Sequence, residues 1–539
     1  MKKLLLILMV LTFCPGFILS GQAQGNSSYA QDVFDRIVKA VNRDFPSPPT
    51  LEIVNNSNMV AVTSSDGVVK VSTKLIELMR GFGADSANAL AHVLAHEVMH
   101  YYNEHFWAGN FAMPYADAGW GQELQMIDSD TLQMQYQETQ ADLYGLFYAT
   151  NAGFQTTAIA DAVIDSIYRW FELPFKMQHY PDLDARKEMA RSAAEEVMAL
   201  IPAYEAGITL LHLSASAEGN EQLTYLKGAS AFFAHITDSY IRTREMLNNI
   251  GVVKVMEALR HMNDTISALQ WPLYIETGSV LYSAAGSRGS SIAIPEKAER
   301  LLMEARKYFE EALELERGYQ PATINLCIVY ALMGKSGSFT DTFDELVDQP
   351  EWLGLELQGL AAFIKGDQKE AVSLLKKAIA QGSGSGDLNL AIVKGDMMAA
   401  SIEIPPLQEI TTQVDSLPIA EFFASLMVDR SNRTDTKNGD CLLFVDTIGN
   451  WQVMEIKFRF PEKAFRTLKF VRLLPGTSQE TAEGLQMDDT MKQLLKIYGE
   501  RYQTSRENEH QVLLFPQQYF ICWLSTSLQV DSWAYWWAK

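Results

Sequence analysis

The eleven residues Ala91 to Tyr101 read A-H-V-L-A-H-E-V-M-H-Y and constrain this chain more than any other stretch. On an α-helix, residues four apart share a face and lie about 6 Å apart along the axis, so His96 and His100 can converge on one metal ion. Glu97 projects roughly 100° away from His96, which sets its carboxylate beside a water on such a metal rather than on the metal itself. His92 stands four residues before His96, but it is about 12 Å along the axis from His100. That is too far for one ion held at about 2.0–2.1 Å from each nitrogen, so His92 and likewise His105 are read as structural or as supporting a ligand from behind. A third ligand has to come from elsewhere. Tyr136 to Gly145 reads Y-Q-E-T-Q-A-D-L-Y-G, which again places Glu138 and Asp142 four apart on a helix. Glu138 can complete a two-His, one-Glu site, and Asp142 can receive the outer N–H of a ligating imidazole and fix its tautomer.

The rest of the composition narrows the setting. A chain of 539 residues is several times the size of one ordinary core, so two to four domains are expected. With 47% hydrophobic and 20% charged residues it is not a disordered protein. A net charge of -22 argues against nucleic acid and anionic membrane surfaces as partners. Met1-Lys2-Lys3, the apolar run Leu4 to Leu19 broken at Pro15, and small residues at Gly21 and Ala23 form an export signal over 1–23, cut after Ala23. No later stretch approaches 18 apolar residues, so no membrane-spanning segment is expected in the mature chain. Four Cys exclude a disulfide scaffold. After cleavage Cys441 and Cys522 are the candidate disulfide, and Cys327 is read as a buried thiol.

Along the chain, Gln31 to Val41 has the spacing of an amphipathic helix, Leu51 to Val54 and Met59 to Thr63 that of strands, and Asp66-Gly67 that of a hairpin turn returning through Val69 and Val71. Lys74 to Met79 starts another helix, and the histidine helix begins at Asp85 or Ser86. From about Ala203 to Leu426 helical periodicity dominates. Within it, Gly359, Gly366, Ala371 and Ala378 have offsets that resemble the tetratricopeptide repeat, counted from Trp352. Ala305, Phe309 and Ala312, then Asn325, Leu326, Cys327, Tyr330 and Gly334, fit neighbouring repeats. Gly382 to Gly386 reads as a flexible break. Beyond it, Cys441 to Val445, Trp451 to Phe460 and Gln511 to Gln529 have strand spacing, with a helix at Met491 to Tyr498. Trp533, Tyr535, Trp536 and Trp537 are read as core. The fold class is multidomain α+β: a zincin-type domain over 24–202, helical tetratricopeptide-like repeats over 203–430, and a small α+β domain over 431–539.

The His-Glu-x-x-His string, followed by Glu138 to Asp142, resembles the HtpX-like family of gluzincin metallopeptidases, in particular its exported members with a tetratricopeptide tail. The likeness extends over roughly Gln31 to Leu200 and includes Asn58-Met59-Val60-Ala61, Val71 to Ile76 and Leu90 to Ala95. It implies one zinc ion per chain on His96, His100 and Glu138, with Glu97 as the catalytic general base. It also implies that the strand before Asp66-Gly67 is an edge on which extended substrate pairs. A His-Pro followed by Arg lines the site in that family. Here Pro181 and Arg186 keep the spacing, while Tyr180 stands where the His would be and His179 is displaced by one. His179, Tyr180 and Arg186 are therefore candidates to stabilise the oxyanion or gate the metal. The 37-residue connection between His100 and Glu138, with Trp107, Tyr115 and Trp120, is a candidate lid.

The resemblance implies a periplasmic zinc endopeptidase, or one peripheral to the outer membrane, that acts on misfolded or stalled envelope proteins, with a protein partner on the helical repeats. Two rivals differ in kind. A binding scaffold with a silent peptidase domain would not need Glu97. A non-haem iron oxygenase also uses two His and a carboxylate, but not a Glu between them on the same helix.

Overall fold

The computed structural model describes residues 16–41, 47–56, 59–103, 131–173, 183–239, 242–276, 279–283, 294–347, 349–395, 412–431, 433–474, 477, 479–499, 502–507 and 510–539. They divide into two compact units, Met1–Met198 and Ala199–Lys539. Residues 1–15 of the expected leader, His105, the lid segment 104–130, and His179 and Tyr180 lie outside the described residues.

In the first unit, α1 (Gly16–Val41) runs through the expected cleavage point and buries Ala30, Val33, Phe34, Ile37 and Val41. That three-to-four-residue spacing is one apolar stripe. Strand β1 (Thr50–Val54) lies parallel to β3 (Val68–Ser72), and β2 (Ala61–Thr63) pairs antiparallel on the other side of β3, giving the order β1-β3-β2. The hairpin read at Asp66-Gly67 forms as expected. Gly67 has φ +82°, and a Cβ there would meet the Tyr101 ring at 3.0 Å, so both backbone and space demand glycine. Helix α2 (Thr73–Arg80) is capped by Ser72, whose Oγ accepts from Leu75 N–H at 3.1 Å. Helix α3 (Ser86–Tyr102) carries the histidines and is buried on most sides, from Ala89 to Ala95 and at Val98, Met99, Tyr101 and Tyr102. Helix α4 (Thr131–Asn151) packs along it, and α5 (Ala160–Trp170) lies against α2 and α3.

Helix α6 (Leu183–Ser216) contains the division between the units. By length and a window of mean hydropathy 1.3 it could cross a membrane, contrary to the reading that no later stretch is so apolar. Leu200, Ala203, Ala206, Leu210, Leu211 and Leu213 are nevertheless buried inside the protein, as in a core helix.

In the second unit, α7 (Gly219–Ser239), α8 (Arg244–Leu259) and the short α9 (Asp264–Ala268) continue the helices. They are followed by β4 (Trp271–Glu276) and β5 (Ser279–Ser283), two strands inside a stretch expected to be helical throughout. Helices α10 (Glu296–Leu315), α11 (Gln320–Leu332), α12 (Ser336–Phe343), α13 (Glu351–Lys365), α14 (Gln368–Ala380) and α15 (Gly386–Val393) come next. In the α13–α14 hairpin, a Cβ on Gly359 would meet Leu375 at 3.1 Å, and Ala371 and Ala378 are fully buried. Gly359, Ala371 and Ala378 thus sit on a close helix–helix seam, while Gly366 ends α13 at φ +92°. Gly382 to Gly386 is not a loose break. Ser383 Oγ and Ser385 Oγ donate to the buried Glu356 carboxylate at 2.9 and 2.6 Å, and Asn389 Nδ2 donates to it at 2.8 Å.

The ribbon β6 (Gln413–Val414) and β7 (Leu417–Pro418) leads into α16 (Ile419–Ser425). Strands β8 (Arg433–Asp435), β9 (Cys441–Ile448), β10 (Trp451–Phe458) and β11 (Thr467–Leu473) follow, then α17 (Met491–Tyr498), β12 (Gln503–Glu507), β13 (His510–Phe515), β14 (Phe520–Leu524) and β15 (Val530–Ala538). With β4 and β5 they form one ten-stranded sheet in the order β4-β5-β12-β13-β14-β15-β11-β10-β9-β8. The C-terminal strands are therefore part of a larger sheet than a small separate domain would hold. Phe422 and Phe423 of α16 and Leu494 and Tyr498 of α17 pack on it with Trp451, Phe515, Phe520, Trp533 and Tyr535. Trp533, Tyr535 and Trp536 are buried, in line with the core reading.

The expected Cys441–Cys522 disulfide does not form: both thiols are free and buried. Cys441 lies in β9 and Cys522 in β14, with β15, β11 and β10 between them. At about 4.8 Å per strand that separation along the sheet is on the order of 19 Å, against the roughly 6 Å a disulfide spans.

Strand β4 is a terminal strand of the sheet, and its outer backbone groups need partners. Asparagines supply them. Asn325 Oδ1 accepts from Tyr274 N–H at 2.9 Å and Asn325 Nδ2 donates to Tyr274 O at 2.7 Å. Asn389 grips Gln270 in the same two-pronged way, at 2.7 and 3.0 Å. Between them Pro272 has no N–H to satisfy. Asn325→Leu keeps the volume but leaves the buried Tyr274 N–H without an acceptor, a cost of about 1–3 kcal/mol. The expected result is a lower urea midpoint; an unchanged midpoint would contradict this account of the edge.

Candidate metal centre

Two helices build the site. Helix α3 presents His96, Glu97 and His100, and α4 presents Glu138 and Asp142 on the turn that faces them. Their close approach depends on Gly145: a Cβ there would lie 2.9 Å from His96 N and 3.1 Å from Ala95 C. Those are backbone atoms and cannot swing aside. Gly145→Ala gains about 1 kcal/mol of helix propensity but forces the helices apart, an overpacking cost of about 1–3 kcal/mol. The variant is expected to lose divalent-metal affinity by ~10-fold or more, read by competition with a chromophoric chelator; unchanged affinity would count against the close-packed site.

The nitrogen and oxygen donors converge. His96 Nε2 and His100 Nε2 are 3.0 Å apart. Glu138 places Oε2 3.5 Å from His96 Nε2 and Oε1 3.4 Å from His100 Nε2. Ligands at about 2.0–2.1 Å around a tetrahedral ion are separated by roughly 3.3 Å, so this spacing fits zinc. Among the described residues, His96, His100 and Glu138 form a group able to hold a metal, with donor atoms all within 4.8 Å of one another. A set of two imidazoles and one carboxylate is also the donor chemistry that zinc takes when a coordination position is left open.

Asp142 anchors the set from behind. Its Oδ1 accepts from His96 Nδ1 at 2.8 Å, which leaves His96 Nε2 to face the other donors. Arg186, at the start of α6, donates from Nη1 to Asp142 Oδ2 at 2.6 Å and from Nη2 to Asp142 Oδ1 at 3.1 Å. Its Nη2 also stands 3.5 Å from Glu138 Oε2. The buried guanidinium, a candidate from the sequence to stabilise the oxyanion or gate the metal, is engaged with the two carboxylates.

The charges are consistent with a cation site. Burial opposes ionisation of Asp142, but the Arg186 guanidinium and His96 outweigh it and hold the carboxyl well below its usual range. Glu138 is likewise held low against burial, by His100, His96 and Arg186. Burial also opposes charge on His96, yet Asp142 and Glu138 push it up to about 10. The same negative field that favours a proton on His96 would favour a divalent cation in its place.

Glu97 is partly exposed beside this cluster and carries a hydrogen bond of its own, from Thr63 Oγ1 to Oε2 at 2.7 Å. Nothing in the sequence singled out Thr63. His92 is buried, its pKa held down to about 4 chiefly by burial, and its Nδ1 has no hydrogen-bond partner among the described residues. It is a neutral core histidine on the ligand helix, in line with its exclusion as a ligand.

A comparison with known protein families agrees with the geometry. Residues 25–115 match peptidase family M48. The M48 match supports a metallopeptidase, and its zinc chemistry is compatible with the His96, His100 and Glu138 group. It runs from within α1 through α3, including His96, Glu97 and His100, and ends before Glu138, Asp142 and Arg186, which the fold brings to the same point. No curated protein matches the chain.

Proposed function

We propose that the chain is an exported zinc endopeptidase of the HtpX-like kind, acting on unfolded or misassembled polypeptides of the cell envelope. The observation that carries this reading is the convergence of His96, His100 and Glu138 with Glu97 beside them, the two histidines and Glu97 lying in a segment that matches M48 peptidases. His96, His100 and Glu138 would hold the zinc, which when bound supplies a Lewis acid to water and to the scissile carbonyl. Glu97 takes the proton of the attacking water and returns it to the leaving amine. Asp142 keeps the Nδ1 proton on His96, so that Nε2 remains a ligand, and Arg186 fixes Asp142 and screens Glu138 from it.

Edge strand β2 supports the choice of extended polypeptide as substrate. Ser72 N–H donates to Val60 O and Ser64 N–H to Val68 O, so by alternation the backbones of Val60, Val62 and Ser64 face β3. Those of Ala61 and Thr63 face outward, where a strand of any sequence can pair. Met1 to Ala23 supports export. The helical segment, with its tetratricopeptide-like offsets, would serve a protein partner; its face around Asn325 and Asn389 is already filled by β4, so that partner would use another one.

Metal analysis tests the assignment. One zinc per chain is expected, lost on combining His96→Ala with Glu138→Ala and unaffected by His92→Ala. Full zinc content without His96 and Glu138 would place the metal elsewhere.

A further inference from the structure

Resting on that peptidase reading, we propose that Thr63 is a positioning residue for Glu97, and that it ties the orientation of the base to the strand on which substrate pairs. Thr63 Oγ1 lies 2.7 Å from Glu97 Oε2 and 3.0 Å from Glu97 O. A hydroxyl has one proton to give, and the shorter contact is to the side-chain carboxylate oxygen rather than to the backbone carbonyl. Oε2 is therefore pinned, and Oε1 is left to meet a water. The holding group is itself held. Thr63 is 7% exposed, it is β-branched and so stiff at χ1, and it is the last residue of β2 before a turn closed by Ser64 and Val68.

The placement has a consequence. Thr63 is also one of the two β2 residues whose backbone N–H and C=O face the edge that no strand among the described residues pairs with. One residue thus offers its main chain to an incoming strand and its side chain to the base. Pairing along β2 would immobilise the Thr63 backbone and with it the Glu97 carboxylate, so an extended polypeptide would complete the geometry that cleaves it. Errors of this kind in placing a catalytic group cost roughly 10- to 100-fold in rate. Because the hydroxyl touches the base and not the substrate, its loss should appear in kcat rather than in KM.

The test uses the full chain loaded with zinc and labelled, carboxymethylated casein as substrate. Thr63→Val keeps shape and strand propensity but removes the hydroxyl. It is expected to lower kcat by roughly 10- to 100-fold at unchanged KM and zinc content, and Thr63→Ser to restore most of it. A second readout needs no activity. In zinc-free protein, the melting-temperature losses of Thr63→Val and Glu97→Ala should be less than additive in the double variant, because one hydrogen bond is counted twice. Wild-type kcat in Thr63→Val, or strictly additive losses, would overturn the proposal. If Glu97→Ala itself cleaves like the wild type, the peptidase reading fails and the proposal fails with it, a result distinct from failure at Thr63 alone.

Discussion

Glu97→Gln is expected to leave zinc binding intact and to lower polypeptide cleavage by at least ~10²–10⁴-fold, the usual contribution of a positioned general base. The substitution is nearly isosteric, and the amide oxygen can still accept from Thr63, so the fold around α3 has no reason to change. What disappears is a basic oxygen beside the metal ligands. The comparison is made with metal content and cleavage rate measured on the same preparation. Lost zinc would mean that Glu97 is a ligand rather than a base, and retained activity would mean that it is neither.

The largest effect on stability belongs to Arg186. It is 6% exposed and donates through both Nη atoms to Asp142, whose side chain is wholly buried. Arg186→Leu would leave the buried Asp142 carboxylate without its guanidinium partner, with only His96 beside it. Breaking a buried pair from one side costs about 3–5 kcal/mol, a large share of the ~5–15 kcal/mol that holds a typical domain. Adding Asp142→Asn should recover part of this, since the stranded charge is then removed. The measurement is hydrogen exchange at the α3 and α4 amides, which reports the local opening of these helices apart from the second unit. Unchanged protection in Arg186→Leu would show that the guanidinium is dispensable to the site.

Much of the site was legible because its ligands repeat at a helix period. His96 with His100, and Glu138 with Asp142, each sit four apart, the spacing that puts two side chains on one helix face. The strand pair around Asp66-Gly67 was equally legible, since a glycine at a turn between alternating Val residues leaves few options. Arg186 was found by its spacing from Pro181, but its role was not, because a single arginine has no pattern and its partner lies 44 residues upstream. Thr63 carried no signal at all: a threonine in a strand is ordinary, and only the contact with Glu97 marks it. Strands β4 and β5 were hidden by their shortness and by Pro272, which argues against a strand except on a sheet edge. Their neighbour β12 lies more than 200 residues further on, beyond any local reading. The Cys441–Cys522 pairing rested on counting cysteines in one segment, and counting cannot see the three strands between them. The Gly-Ser run was read from composition, which does not register a buried Glu356 waiting for two hydroxyls.

The central claim is that these residues form a zinc-dependent peptidase centre, and its most direct test is digestion of casein by the purified chain. The account predicts that the zinc-loaded protein cleaves casein, that a chelator stops it, and that one equivalent of zinc restores it. Cleavage that survives complete removal of the metal, or a chain carrying one zinc on His96, His100 and Glu138 that cuts no unfolded polypeptide, would contradict it.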